Sequence, residues 1–522
     1  MKRRDFIKTA GATAGAPFIL NGVGLSAVGQ PWFLNFINPD TDRVLVLIRL
    51  SGGNDGLNSV IPLDQYDNLY NARPNIIIPQ NNIINVTNTV GFHPEMAGLK
   101  GIFDDGKLGI VQSVGYPNQN RSHFKSMQIW YTGLPEQSEQ NTGLTGWLGR
   151  HLDTQFPGFP DGYPNSQYPA PFAISMGDFV SETCQGQIAN YSIALNDPFA
   201  LGDLAEWGGS DFPGTIYGEE LAFLRSQITS SNVYYDQIEA AASSGATVAQ
   251  YPDTEMGRQL KNVALMISGG LQTRIYTVNI SGFDTHALQA QIGSPTTGVH
   301  AELLNTVSEA LAAFQQDLTQ LGLEERVIGM TFSEFGRQIR SNASYGTDHG
   351  TAAPLFLFGG CVNPGILGDN PEIPQNVAPQ EGVPMQYDFR DVYGSLLIDW
   401  FGAQESTIRQ ILHDDFQYLP IVNRCGSITG ATEPTPAQDV ESSCYPNPFR
   451  EETAIKFTSG NEWVRLSILN VFGHEIEVLT NQKLSEGEHR IRFDARNLPA
   501  GNYYYRLILE GRQKTKLMVK IR

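Results

Sequence analysis

The sequence predicts an α/β layered domain followed by a small β-sandwich, and three observations lead there. Between roughly Asp42 and Asn423, apolar runs of strand length recur between longer polar or helix-length stretches, as layered α/β domains require. From Gly426 to Ser443 (GSITGATEPTPAQDVESS) the apolar period disappears and Pro, Ser, Thr and Gly dominate, which marks a linker. Beyond it, short runs alternate apolar and polar residues: Thr453 to Phe457, Val464 to Asn470, Glu475 to Leu479, His489 to Phe493, Tyr503 to Leu509 and Lys516 to Ile521. Turn residues such as Pro499-Ala500-Gly501-Asn502 separate them, so six or seven short strands are expected.

Composition agrees with this division. A chain of 522 residues is too long for one ordinary domain, and 41% hydrophobic with 17% charged residues supplies a real core. The formal net charge of −19 is uneven. Residues 445–522 hold thirteen Lys and Arg against nine Asp and Glu, net +4, which leaves −23 on residues 1–444. So acidic a main segment argues against nucleic-acid binding, which needs a basic footprint to displace counterions. Four cysteines without a C-x-x-C pair exclude a disulfide scaffold and a thiolate metal site. Cys425 and Cys444 flank the linker, and spacing alone leaves open whether they pair.

The N-terminus opens with Lys2, Arg3, Arg4, Asp5, Phe6, Ile7 and Lys8, then a Gly/Ala-rich, weakly apolar stretch to about Val28. This pattern resembles a twin-arginine export signal over residues 1–30; its apolar part is too short to span a bilayer, and no transmembrane helix is expected.

In the main segment the polar clusters carry the functional expectation. Arg43 to Leu50 runs into Ser51-Gly52-Gly53-Asn54-Asp55-Gly56, and Leu108 to Val114 into the stretch from Tyr116 through Arg121-Ser122-His123-Phe124. Arg274 to Ile280 runs into Ser281-Gly282-Phe283-Asp284-Thr285-His286, and Val327 to Phe332 into Ser333-Glu334-Phe335-Gly336-Arg337. Parallel α/β sheets bind ligands outside the carboxyl ends of their strands, so the four clusters predict one shared site. A fifth cluster, Gly346-Thr347-Asp348-His349-Gly350, precedes the run Pro354 to Phe358. Asp, Glu and His gathered from separate strands suit a divalent cation, with Zn, Mg, Mn and Ca all open. Each residue also has a plain structural role available: Asp55 as a helix cap, Asp284 fixing a turn, Ser122 as the N-cap of a helix from His123 to Tyr131. Arg121 and Arg337 have one as salt-bridge partners.

Two resemblances enter at these residues. Tyr445-Pro446-Asn447-Pro448-Phe449, Ser467 through Gly473, Leu498 through Tyr504 and the basic final strand resemble the C-terminal sorting domain of the type IX secretion system of Bacteroidetes, over residues 445–522. Leu50 through Asn58, Phe92-His93-Pro94, Gln112 through Trp130, Phe283-Asp284-Thr285-His286, Ser333 through Arg337, Thr347-Asp348-His349-Gly350, and Asp388 through Gly402 look like the exported family catalogued as domain of unknown function 1501. That family is in turn similar to the alkaline phosphatase and sulfatase superfamily.

The second resemblance implies a mostly parallel sheet between helices over residues 40–423, and hydrolysis of phosphate or sulfate esters, small or polymer-linked. It implies Ser122 as nucleophile beside His123, with Arg121 or Arg337 clamping the transferring group. Asp284, His286 and His349 match ligands of a first metal, and Asp55 one of a second. Glu334 and Phe335 stand where adjacent Asp and His are usual, so Glu334, Asp348 or His123 must complete any second site. The alternative is a surface-displayed binding or scaffold protein that keeps the fold without turnover. Together the two ends imply export through the twin-arginine and type IX machineries to the periplasm and then the cell surface or medium.

Overall fold

The computed structural model describes residues 42–134, 145–200, 231–423 and 442–521, the last without 470–474, 497, 500, 510 and 511, and two short strands, Phe18–Leu20 and Val23–Leu25. The rest of the expected export signal, Cys425 and residues 426–441 of the expected linker lie outside the described residues, while Ser442 and Ser443, expected as its last two residues, open a strand. The chain divides into two units, Met1–Cys425 and Gly426–Arg522.

The first unit is built on a nine-stranded sheet. Its order is Gly365–Leu367, Leu108–Gly115, Ala353–Phe358, Val327–Phe332, Val44–Ser51, Ile275–Ser281, Ala173–Met176 and Ser192–Leu195, with Tyr387–Asp388 added beside Leu108–Gly115. All neighbours pair in parallel except Ala353–Phe358, which is antiparallel to both of its partners. The fold is therefore α/β with a mostly parallel sheet. The central strand shows why the sheet is covered on both faces: Val44, Val46, Ile48 and Leu50 enter one core, while Leu45 and Leu47 enter another. Helices Ala97–Asp104, Glu255–Ser268 and Val299–Gln320 supply apolar residues to the first core. Helices His123–Thr132, Trp147–Gln155 and Phe389–Asp399 supply the second.

Register fixes where the loops emerge. Ser281 stands level with Ser51, and Phe332 with Arg49, so the segments after three adjacent parallel strands leave the sheet at one edge. The reversed strand Ala353–Phe358 enters the sheet at that edge. A cluster that precedes this strand and clusters that follow the others are thereby brought together.

The strands of the second unit pair antiparallel. Ser442–Tyr445, Glu452–Ser459 and Gly487–Asp494 form one sheet; Glu475–Leu484, Glu462–Leu469, Gly501–Leu509 and Arg512–Lys520 form the other. Ile455, Phe457 and Phe493 of the first sheet share a core with Val464, Leu466, Tyr505 and Leu507 of the second. Cys444 is a free thiol 3.1 Å from the Thr453 hydroxyl.

Candidate functional site

The loop after Val44–Ser51 closes tightly on the loop after Ile275–Ser281. Gly52 takes φ +124°, and a Cβ there would fall 2.2 Å from the Asp284 nitrogen; Gly53 takes φ +89°, with its Cβ position 2.5 Å from the Phe335 ring. Only glycine allows both the backbone angle and the approach. Arg337, 1% exposed, binds this junction: Nε donates to the Gly53 carbonyl (2.7 Å), Nη1 to Thr347 O (2.9 Å), and Nη2 to Phe283 O and Asp284 Oδ1 (2.8 Å each) and to Gly52 O. Its expected role as an oxygen clamp is thus replaced. A guanidinium whose donors all serve the surrounding loops holds those loops together instead.

Around Asp284 stand three imidazoles. His286 Nε2 lies 3.2 Å and His349 Nε2 3.1 Å from Asp284 Oδ1, while His123 Nε2 lies 3.5 Å from Oδ2. The remaining nitrogen of each ring is committed. His286 Nδ1 meets Asp348 Oδ1 at 2.8 Å, His349 Nδ1 meets the Arg121 carbonyl at 2.8 Å, and His123 Nδ1 meets Glu334 Oε1 at 2.9 Å. Acceptor-only partners make each Nδ1 the donor, which in a neutral ring leaves a lone pair on Nε2. Yet His286 Nε2 and His349 Nε2 are 2.8 Å apart. Two lone pairs facing at that distance repel unless a proton is shared between them or both turn toward one metal cation beside them. Burial lowers the His349 imidazole's affinity for a proton. The ligand atoms of His123, Asp284 and His349 lie within 4.8 Å of one another, a group of metal-binding dimensions.

Asp284 and Asp348 stay ionised. Burial raises the pKa of Asp284, but the Arg337 hydrogen bond and charge, with His349 and His123, bring it below its usual value. Burial likewise opposes ionisation of Asp348, and hydrogen bonds from His286 and Asn342 outweigh it. Phe335 packs on the rings of His349 (4.6 Å between centroids) and His123 (5.0 Å). The residue read from sequence as a lost ligand is a hydrophobic wall of the site.

The structure separates the remaining expected residues. Asp55 is not in the cluster: it is 1% exposed, both oxygens accept from Arg73 Nη1 (3.0 and 2.8 Å), and Oδ2 also accepts from Gln289 (2.5 Å). Neither its helix-cap role nor its metal role survives, because its charge is already answered and it makes no side-chain cap bond. Glu334, also buried, receives the Gly52 N–H (2.8 Å) and His123 on Oε1, and so orients an imidazole rather than standing beside Asp55 as a ligand of a second ion. Asp348 acts on His286 from behind. The Arg121 side chain donates through Nη1 to the Gln380 carbonyl (2.8 Å). Ser122 occupies the N-cap position of His123–Thr132, is exposed, and makes no cap hydrogen bond through its hydroxyl. Arg73 and Gln289 carried no motif and were missed.

Two non-glycine residues with positive φ, Leu288 (+52°) and Tyr345 (+57°), flank the loops that bear His286 and Asp348. The loops are joined by Leu288 N–H to Ser344 O (2.9 Å) and Ala290 N–H to Tyr345 O (3.2 Å). Backbone held in this region costs on the order of 1 kcal/mol or more per residue and commonly gathers at functional sites.

Fold and site together define an α/β protein with a three-imidazole, one-carboxylate cluster at the carboxyl edge of its sheet. Residues 236–399 match the family described as "Protein of unknown function (DUF1501)", and residues 443–521 match the secretion system C-terminal sorting domain. The tail supports export of the chain to the cell surface, and among the described residues no helix is long and apolar enough to cross a membrane. No curated protein matches the chain. Among solved structures, a sulfatase from Pseudoalteromonas sp. is similar at 10% identity and TM-score 0.33, covering 87% of this chain and 84% of its own. A phosphonate monoester hydrolase from Silicibacter pomeroyi is similar at 12% and 0.32, covering 91% and 89%. An alkaline phosphatase superfamily protein from Vibrio parahaemolyticus is similar at 11% and 0.30, covering 100% and 92%.

Proposed function

We propose that the protein is an exported, metal-dependent hydrolase of phosphate or sulfate esters, with one cation held by Asp284, His286 and His349. The observation that carries it is the 2.8 Å approach of two imidazole Nε2 atoms whose Nδ1 atoms are both committed as donors. Tetrahedral donors at about 2.0–2.2 Å from an ion lie roughly 3.3–3.6 Å apart, somewhat wider than the 2.8–3.2 Å separations among these three residues, which must open slightly to seat one. Two imidazoles favour a borderline ion such as Zn²⁺ over Mg²⁺ or Ca²⁺, which prefer oxygen. Bound there, such an ion supplies Lewis-acid stabilisation of charge on a transferring phosphoryl or sulfuryl group.

The chain's own residues supply the rest. Asp348 and the Arg121 carbonyl fix the tautomers of His286 and His349. Arg337 keeps Asp284 ionised and fixed in place. Ser122 is the nucleophile: its hydroxyl is exposed and unused as a cap, at the N-terminus of a ten-residue helix whose free N–H groups favour an oxyanion. His123, its Nδ1 tied to Glu334, offers Nε2 as acceptor for the serine proton.

The test is hydrolysis of p-nitrophenyl phosphate and p-nitrocatechol sulfate by metal-loaded protein. Ser122→Ala should lower turnover by about a thousandfold or more with metal content unchanged. Activity within tenfold of the parent removes the nucleophile assignment, and hydrolysis of neither ester removes the hydrolase. Deleting residues 443–521 should retain the protein inside the cell envelope; unchanged surface levels would remove the sorting role.

A further inference from the structure

A second cleft lies away from the imidazole cluster, on the face of the sheet. Three adjacent strands that should be apolar on both faces turn polar on one: Asn279 stands level with Arg49, and Thr277 level with Ser175. Thr277 is half-buried and Asn279 exposed, so among the described residues no helix covers this part of the face. The result is a cleft of about 440 Å³, a size ordinary for small-molecule sites, and none of the cluster residues lines it.

Its lining holds an incomplete set of hydrogen bonds. Gln259, 6% exposed, turns Nε2 to Glu255 Oε1 (3.3 Å), while its Oε1 has no partner among the described residues. Arg49 donates to the Tyr131 hydroxyl (2.6 Å), but its Nε is buried and unpartnered, and no carboxylate of the described residues forms an ion pair with it. Asp178 and Glu182 stand on the rim with Phe179, a residue 83% exposed.

We infer that this cleft binds a neutral, polyhydroxylated ligand, a sugar residue of a glycan chain. An anion would answer Arg49 but meet three carboxylates, and a cation would leave Arg49 uncompensated. Neither would serve the Gln259 acceptor and the Arg49 donor together. Hydroxyl groups both donate and accept, so adjacent hydroxyls serve both, while the carboxylates take the remaining O–H groups. Phe179 gives the apolar face of a sugar ring a surface to lie on.

The experiment is native affinity electrophoresis of the full chain, with and without chelator, through gels containing laminarin, galactomannan or xylan, with alginate as the polyanionic comparison. At least one neutral polysaccharide should retard the protein equally in both conditions, so the result does not depend on the proposed hydrolase centre. Phe179→Ala, at an exposed position, and Gln259→Leu should each weaken that retardation by about tenfold in dissociation constant. Retardation by alginate alone, retardation that survives both substitutions, or none with any neutral polysaccharide would overturn the inference.

Discussion

Asp55 and Asp284 follow neighbouring parallel strands at the same sheet edge, and both are held by an arginine, yet they have opposite fates. Asp55 and Arg73 are 0% exposed in their side chains, and Gln289 and Asn58 complete the pair's hydrogen bonds. Next to them His300 bonds to Asn54 (3.0 Å), with His93 packed edge-on. Burial holds those imidazoles neutral, His300 with a pKa of about 4 and His93 of about 3. Asp284 is 47% exposed, gives one oxygen to a single arginine nitrogen, and faces three imidazoles with Nε2 directed toward it. The Asp55–Arg73 pair is closed in charge and hydrogen bonding, with only Asn54 Nδ2 beside it left without a partner; the other network has metal-ligating atoms to spare. Composition does not distinguish a structural Asp/His cluster from a candidate centre, but the completeness of its pairing does.

The contrast breaks most visibly at Arg73. Arg73→Met leaves an uncompensated carboxylate in the core and should cost about 3–5 kcal/mol in urea unfolding of the main unit, with metal content of the folded protein unchanged. A loss below about 1 kcal/mol would mean that Asp55 finds another partner.

Acid sharpens it next. Because His93 and His300 are neutral when folded and protonate near pH 6.5 when unfolded, stability is full above about pH 6.5. It should fall as pH drops toward about 4 for His300 and about 3 for His93. Each contributes a slope of up to about 1.4 kcal/mol per pH unit, so the pair should cost about 2–3 kcal/mol between roughly pH 6 and 5. His300→Asn should flatten the slope by the share of one proton. An unchanged slope would place the acid sensitivity elsewhere.

In the open network, by contrast, Asp284→Asn should cost the metal-free protein less than Arg73→Met, since the side chain is half exposed and the amide oxygen still accepts from the buried Arg337. Smallest of all is Ser122→Ala. With no cap hydrogen bond to lose, it should fall below about 0.5 kcal/mol in the same unfolding measurement, under the ~0.5–2 kcal/mol of a working cap.

Much of the main fold was visible in sequence. The apolar runs at Arg43 to Leu50, Leu108 to Val114, Arg274 to Ile280 and Val327 to Phe332 fall on sheet strands, and the helix expected over His123 to Tyr131 spans His123–Thr132. Asp284, His286 and His349 meet because strand ends are local in sequence and register is set by apolar alternation. What sequence hid is partnership across the fold. Arg73 follows the helix Tyr66–Ala72 with nothing beside it to show that it reaches Asp55, so a neutralised carboxylate looked like a ligand. Arg337 looked available because its acceptors are backbone carbonyls, which no side-chain pattern reveals. Phe335 looked like a lost ligand because sequence cannot show a ring lying against two imidazoles.

The central claim is that His286 and His349 turn their Nε2 atoms to one cation. Chelator-treated protein is dialysed against Zn²⁺, and bound metal is measured for the parent, His349→Ala and Arg73→Met, with thermal unfolding recorded alongside. The parent should retain one ion per chain and gain about 2.7 kcal/mol at a hundredfold excess over the dissociation constant. His349→Ala should lose both the ion and the gain, while the folded fraction of Arg73→Met keeps its ion. A parent that retains no stoichiometric metal and melts at the same temperature with and without it would contradict the claim.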